Sequence, residues 1–313
     1  MTQNRPAPPY LDLIGLRIDS PQGFLSALGL LRVCAQDLGL DVHLSWVASH
    51  ARLHGIDGAT LLDGMTTHMS GRSEAREFNF PVHKDDGSQV PVSKLNCIRP
   101  EDYRAAASSM RDNSRALTFL AAFATDAVIP KSGFVTPNRL DLSNGRQQFV
   151  DKIRNLADEL DSARTDFEVR LHNALFGGPY EQIKKLSFGW DPVAVRRHAY
   201  EATAPTDSNP PSQPFSVWFA IEALPLHPIL PVSPRRAETT GFDRDHYDWP
   251  QWSEPLTLEE VRLLRQRPVD TFRELEGVQA IWRSAIARSG KYLTLTQGYR
   301  PDPVILSRKA GHR

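Results

Sequence analysis

Apolar positions are unevenly spaced along this chain, and their spacing sorts it into elements. LDLIGLRI (11–18) sets apolar residues around Arg17 and predicts a strand. Asp19-Ser20-Pro21 reads as a turn and a helix start, with Ser20 as cap and Pro21 in the first helical position, where its missing N–H costs nothing. GFLSALGLLRVCAQDLGL is apolar nearly all round, which predicts a central buried helix ending near Gly39. DVHLSWV (41–47) alternates and predicts a second strand, so the opening reads as strand, helix, strand, the start of an α/β unit. Residues 50–70 predict a helix through GATLLDGMTTHM, and residues 101–128 predict another. Between them, residues 71–100 are polar with scattered aromatics and an Asp-Asp-Gly turn signal; they read as a hairpin or as a partner-facing loop.

Further along, FVTPNRLDLS predicts a short strand, followed by helices over Gln147–Leu160 and 163–175, the second ending at Gly177-Gly178. FSVWFAIEALPLHPILPVS starts as an apolar helix and is broken by Pro225, Pro228 and Pro231. In LTLEEVRLLRQRP, Thr257 and Glu260 fit a capping box. VQAIWRSAIARSGKYLTLTQGYRP predicts a helix, a stop at Gly290 and a strand. TAPTDSNPPSQP (203–214) has the composition of a linker. The expected organisation is therefore an N-terminal α/β-to-helical domain over 1–202, a linker over 203–214 and a mainly helical domain over 215–313. The expected fold class is α+β, mostly helical, with a small mixed sheet near the N-terminus and a strand near the C-terminus.

Composition narrows the function classes. With 313 residues the chain can bury a core without disulfides or metal staples. No apolar run is long enough to span a bilayer, and MTQNRPAPPY lacks the pattern of a leader, so a cytoplasmic protein without a membrane partner is expected. Cys34 lies in an apolar run and reads as a buried inert thiol; neither it nor Cys97 has zinc-ligand spacing. The formal net charge is +0, from 37 basic and 37 acidic residues, whereas free-standing nucleic-acid binders are usually basic. A subunit of an assembly escapes that rule by presenting one basic face.

Phosphate loops, GxGxxG, HExxH and GxSxG are absent, so no catalytic residue, cofactor or metal is expected. His50 and His54 are four apart and could share a helix face as ligands, but nothing nearby completes a site. Asp85-Asp86, and Asp243 with Asp245 and Asp248, could hold a divalent cation through oxygen; solvated turn residues are the preferred reading.

Three segments mix Lys/Arg with polar donors as phosphate contacts require. The first holds Lys94, Asn96 and Arg99; the second Lys131, Asn138, Arg139, Asn144 and Arg146; the third Lys184, Lys185, Arg196 and Arg197. For each, the alternative is an ordinary solvated surface. Trp190, inside FGWDP (188–192), could stack on a base but reads better as a core residue.

PQGFLSALGLLRV (21–33), FGWDP (188–192) and IEALPLHPILPV (221–232), in that order, carry a resemblance. The chain resembles the large-subunit-like proteins of type I-G (formerly I-U) CRISPR effector complexes, and its C-terminal VQAIWRSAIARSGKYLTLTQGY is similar to their ending. It is shorter than the usual large subunit, as a compact variant or related accessory family would be. The resemblance implies a hetero-oligomeric, crRNA-guided, Cascade-like complex with other CRISPR effector subunits, crRNA and target DNA as partners. The large subunit of such a complex meets the guide and probes the PAM flank, while base pairing reads the sequence. No catalytic residue carries over. Two other readings stay open: neutral charge suits a defence-system adaptor without nucleic-acid contact, and scattered Asp and His suit a metal-dependent nuclease.

Overall fold

The computed structural model describes residues 9–142, 148–163, 165–182, 188–193, 211–289 and 292–301. Strand β1 (Tyr10–Arg17) leads into α1 (Pro21–Arg32). The cap is as the sequence predicts: the Gly23 N–H donates to the Ser20 hydroxyl at 3.2 Å, and Pro21 fills the first turn. Every residue of α1 is buried, including Gln22, Ser26 and Arg32. The helix continues into a π-helical turn, Val33–Asp37, and the chain reverses at Gly39 with φ +67°.

Strands β2 (His43–Val47) and β3 (His50–His54) complete an antiparallel sheet of order β1-β3-β2. The expected α/β unit is thereby corrected, because β3 lies between β1 and β2 and runs against both. HARLH belongs to β3 and not to the following helix. Its period of two puts Ala51 and Leu53 on the inner face beside Leu13, Leu44 and Trp46. Helix α2 (Gly58–Met69) starts only at the Asp57 cap.

Next come α3 (Arg76–Asn79) and a hairpin of β4 (Pro81–His83) and β5 (Gln89–Pro91), which resolves the 71–100 stretch in favour of a hairpin with Asp85-Asp86-Gly87 in its turn. The helix expected over 101–128 is two, α4 (Pro100–Ser109) and α5 (Ser114–Phe123), because Asn113 caps a fresh start by accepting from the Ala116 N–H at 2.9 Å. A short pair follows, β6 (Ala124–Thr125) with β7 (Thr136–Pro137), then α6 (Phe149–Ser162) and α7 (Phe167–Phe176), the latter ended by Gly177. Strands β8 (Glu181–Gln182) and β9 (Pro211–Ser212) pair antiparallel. Helix α8 (Pro214–Glu222) is buried at every position and packs along α1 on the side away from the sheet.

The C-terminal part departs most from expectation. A hairpin of β10 (Ile229–Ser233) and β11 (Arg236–Thr239) precedes β12 (Phe242–Asp243) and β13 (His246–Trp252); α9 (Leu258–Gln266) carries the expected capping box. The helix expected at VQAIWRSAIARS is strand β14 (Val278–Ser289), paired with β13 and with β15 (Tyr292–Leu295) in a four-stranded antiparallel sheet. Helix-favouring alanines are overridden by cross-strand partners: Trp282 lies opposite Trp249, and Arg283 opposite Asp248. The fold is α+β, with its strands spread over several small antiparallel sheets.

One continuous core joins these parts, from Leu13 to Leu295. Phe24 of α1 sits between Trp46 of β2, at 5.9 Å, and Trp249 of β13, at 5.7 Å. The Trp249 and Trp252 indoles donate to the carbonyls of Ile18 and Leu44, each at 2.8 Å. The segments placed in separate domains, 1–202 and 215–313, therefore share their interior. Of the expected linker, residues 203–210 lie outside the described residues, while Ser212 and Gln213 are buried. No helix among the described residues is long and apolar enough to cross a membrane.

Candidate functional site

The first two basic segments are neighbours, since the Val135 N–H donates to the Ile98 carbonyl at 3.0 Å. Asn96 and Lys131 are exposed, and Lys94 is half-buried. Arg99 pairs with Asp85 at 3.0 Å. Arg139 lies 4.9 Å over the Phe242 ring, donates to the Arg244 carbonyl and stands 3.3 Å from Asp245. Asn138 is different: it is 2% exposed, and its amide donates to the carbonyls of Ala122 at 2.7 Å and His227 at 2.9 Å while accepting from the Leu140 N–H. It ties α5 to the chain after α8 and presents nothing to a phosphate. Asn144, Arg146, Lys184, Lys185, Arg196 and Arg197 lie outside the described residues.

Trp190 is fully buried, stacked on Phe188 at 4.9 Å, and donates to the Leu140 carbonyl at 2.8 Å. Two residues away, Asn138 reaches His227, so FGWDP and LPLHPILPV meet through the 138–140 segment. The first resembling stretch, α1, lies against α8, where Gln22 Nε2 donates to the Ser216 hydroxyl at 3.3 Å and Arg32 donates to Glu222 of the 221–232 stretch. All three stretches thus converge on one interior.

The acidic and histidine candidates are occupied or separated. Asp86 accepts from the Ser88 N–H at 2.9 Å, the turn role expected of it. Asp248 is buried and bidentate with Arg283, both contacts at 2.6 Å, and Asp243 stands 3.7 Å from the same guanidinium. His50 and His54 share a face of strand β3. Four strand residues separate them by about 13 Å, too far for one ion.

The densest chemistry is a buried network that no motif announced. Glu222, the last residue of α8, is fully buried; it accepts from Arg32 of α1 and, at 2.6 Å, from Arg115 of α5. Arg115 also binds Asp37, and Glu77 at 2.8 Å. Burial alone would raise the Glu222 pKa, but the guanidiniums of Arg115 and Arg32 outweigh it and hold the carboxyl well below the usual range. The Trp218 indole donates to His68 Nε2 at 3.2 Å. Both ring nitrogens face groups that only donate, Nε2 the Trp218 indole and Nδ1 the Arg72 guanidinium at 3.3 Å, and Nδ1 also stands 3.4 Å from Asp37. Nε2 likewise stands 3.3 Å from the Glu222 carboxylate.

Asp37, His68 and Glu222 each bring one ligand atom within 4.8 Å of the others, the spacing a metal ion needs. The donor set does not fit one. Both Glu222 oxygens and the Asp37 oxygen already accept from guanidiniums, and His68 Nε2 accepts from Trp218. Three carboxylates, Asp37, Glu77 and Glu222, face three guanidiniums, Arg32, Arg72 and Arg115, so the charge is balanced without a cation. Cys34, next to this network, is driven up to about 12 by burial, as an inert thiol should be.

A second buried network surrounds His227. Its Nδ1 faces the Ala223 carbonyl at 2.9 Å and its Nε2 the Tyr247 hydroxyl at 2.7 Å, so a neutral ring donates at one end and accepts at the other. Burial, with Arg265 nearby, pushes its pKa well below the ordinary value, and burial lowers that of His68 too. The unfolded chain then binds more protons than the folded one below about pH 6.5, so stability is full above that pH and falls as pH drops. Denaturant titrations should show a loss of about 1 kcal/mol between pH 6.5 and 5.5 from His227, with His68 adding to it. A flat profile would mean that these rings titrate as they do in water.

Comparison of the chain with protein-family models and with curated proteins gives no match to either.

Proposed function

We propose that this chain is a cytoplasmic subunit of a crRNA-guided, Cascade-like surveillance complex, working with other CRISPR effector subunits and contacting crRNA or target DNA near the PAM end. The observation that supports this is the convergence of the three resembling stretches. Residues 21–33, 188–192 and 221–232 are far apart in sequence and pack into one interior. Meeting in the shared core is what a common fold requires of them. Arg32 and Trp190, inside those stretches, serve the core, so nucleic-acid contact falls to residues such as the exposed Lys131 and the half-buried Arg139.

Co-expression with its operon neighbours tests the proposal. The chain should co-elute with them and with a small RNA, and target binding should weaken steeply with salt, as phosphate contacts do. Arg139→Ala and Arg146→Ala should lower target affinity. A chain that elutes alone and free of RNA from cells expressing the whole operon would leave the adaptor reading, which neutral charge favours.

A further inference from the structure

We propose that the outer face of the β1–β3–β2 sheet is a stacking platform for unpaired bases of a single-stranded nucleic acid. The inner face of this sheet is apolar and packs on α1; the outer face carries rings and hydrogen-bonding groups in cross-strand rows. One row is His43, His54 and Tyr10, and the next is Ser45, Arg52 and Asp12. Tyr10 is 50% exposed and Ile14 53%, so the face is open along β1. Towards β2 it closes, where Ser45 is buried and α9 brings Glu260 near His43.

The planar groups are held in place before any ligand arrives. The Arg52 guanidinium lies 4.2 Å over the Tyr10 ring and is fixed by Asp12 through contacts of 2.6 and 2.9 Å. Ser45 Oγ stands 2.9 Å from His54 Nε2, and the His54 ring is 6.3 Å from that of Tyr10. Restrained rings and guanidinium planes lose little entropy on stacking with a base.

Planar groups, and not charge, select the occupant. Arg52 is matched by Asp12 and Arg17 by Asp19, so the face has no excess of cations for phosphates. A duplex shows a partner its phosphates and hides its base planes, which makes it a poor match for a neutral, planar surface. Unpaired bases offer ring faces and edges that such a surface can stack and hydrogen-bond. Ile14 is the one aliphatic side chain described as exposed on this face, so it lacks the apolar patch a protein partner would bury.

The inference rests on the nucleic-acid reading above, and the experiment separates the two. The full-length chain is titrated with a short fluorescent oligouridine and with a duplex of the same length, as wild type, Tyr10→Leu and Tyr10→Trp. Tyr10 is half exposed, so these variants should keep the wild-type melting temperature. The single strand should bind better than the duplex. Tyr10→Leu should bind about tenfold more weakly, while Tyr10→Trp should retain affinity. Ultraviolet cross-links should map to Tyr10–Arg17 or His50–His54. Wild-type binding that survives Tyr10→Leu unchanged, or that prefers the duplex, overturns the platform and leaves the nucleic-acid reading standing. A wild type that binds neither oligonucleotide overturns the platform, and loss of RNA from the co-expressed complex is what overturns the nucleic-acid reading.

Discussion

Glu222→Ala is expected to remove about 3–5 kcal/mol of stability, because it leaves buried guanidiniums without their shared carboxylate. Arg32 would be left with Asp37 at 3.7 Å as its remaining carboxylate, and its side chain is fully buried. Arg115 would keep Asp37 and Glu77. In a chain this long, the loss should lower the melting temperature by about 5–8 °C. Removing both members of the central pair should cost less than removing one: Arg32→Met with Glu222→Leu takes away the stranded charge and keeps apolar volume, so it should recover most of the loss. Equal melting temperatures for the single and double variants would show that lost packing, and not the stranded charge, sets the cost. The pH dependence gives a second handle. Glu222 ionises well below its unfolded value, so its contribution is present above about pH 4.3 and is lost as pH falls through the folded pKa. Glu222→Gln should be less stable than wild type at neutral pH and should lack that acid limb.

Sequence made parts of this network visible without joining them. Arg32 stands in GLLRV and Glu222 in WFAIEAL, each a lone charge in an apolar helix, and a lone charge in such a run has to find a partner or be neutralised. Their opposite signs suggest the pairing. Residues Asp37, Glu77 and Arg115 lie in mixed surroundings and give no such signal. Local chemistry was the legible part of the fold: the Ser20-Pro21 start, the Thr257–Glu260 capping box and the Asp85-Asp86-Gly87 turn are each decided by a few neighbouring residues. What the chain decides at long range stayed hidden. Strand β14 is rich in alanine and becomes a strand because β13 and β15 flank it; β3 escapes notice because only five residues separate the Ala48-Ser49 turn from Gly55. The basic candidates split for the same reason. Asn138 looked like a donor for phosphate beside Arg139, yet alternate residues of an irregular segment face in and out, and it is the inward one. Tyr10 of β1 meets Arg52 and His54 of β3 only through strand pairing, which no linear spacing could reveal.

Gly29→Ala should be the most disruptive glycine-to-alanine change among the described residues, with a cost above about 3 kcal/mol. Gly29 lies in the LSALGLLR part of the first resembling stretch, at the crossing of α1 and α8. A Cβ there would fall on the Phe219 carbonyl oxygen, 2.6 Å from its carbon and 2.9 Å from the Ala223 nitrogen. These are backbone atoms of a buried helix, so no side chain can rotate aside and the two helices must separate. Separation would also pull Arg32 from Glu222 and Ser26 from Ser216, the polar contacts made across that crossing. The glycine therefore fixes the distance on which the buried network depends, a packing reason for a glycine inside a helix where propensity alone disfavours it. Gly58→Ala is the control. It adds the same methyl at the start of α2, where nothing lies within 4 Å, and should be neutral or stabilising by up to about 1 kcal/mol. Thermal melts of the two variants beside wild type decide the matter: equal, small shifts for both would mean that α1 and α8 are not locked at Gly29.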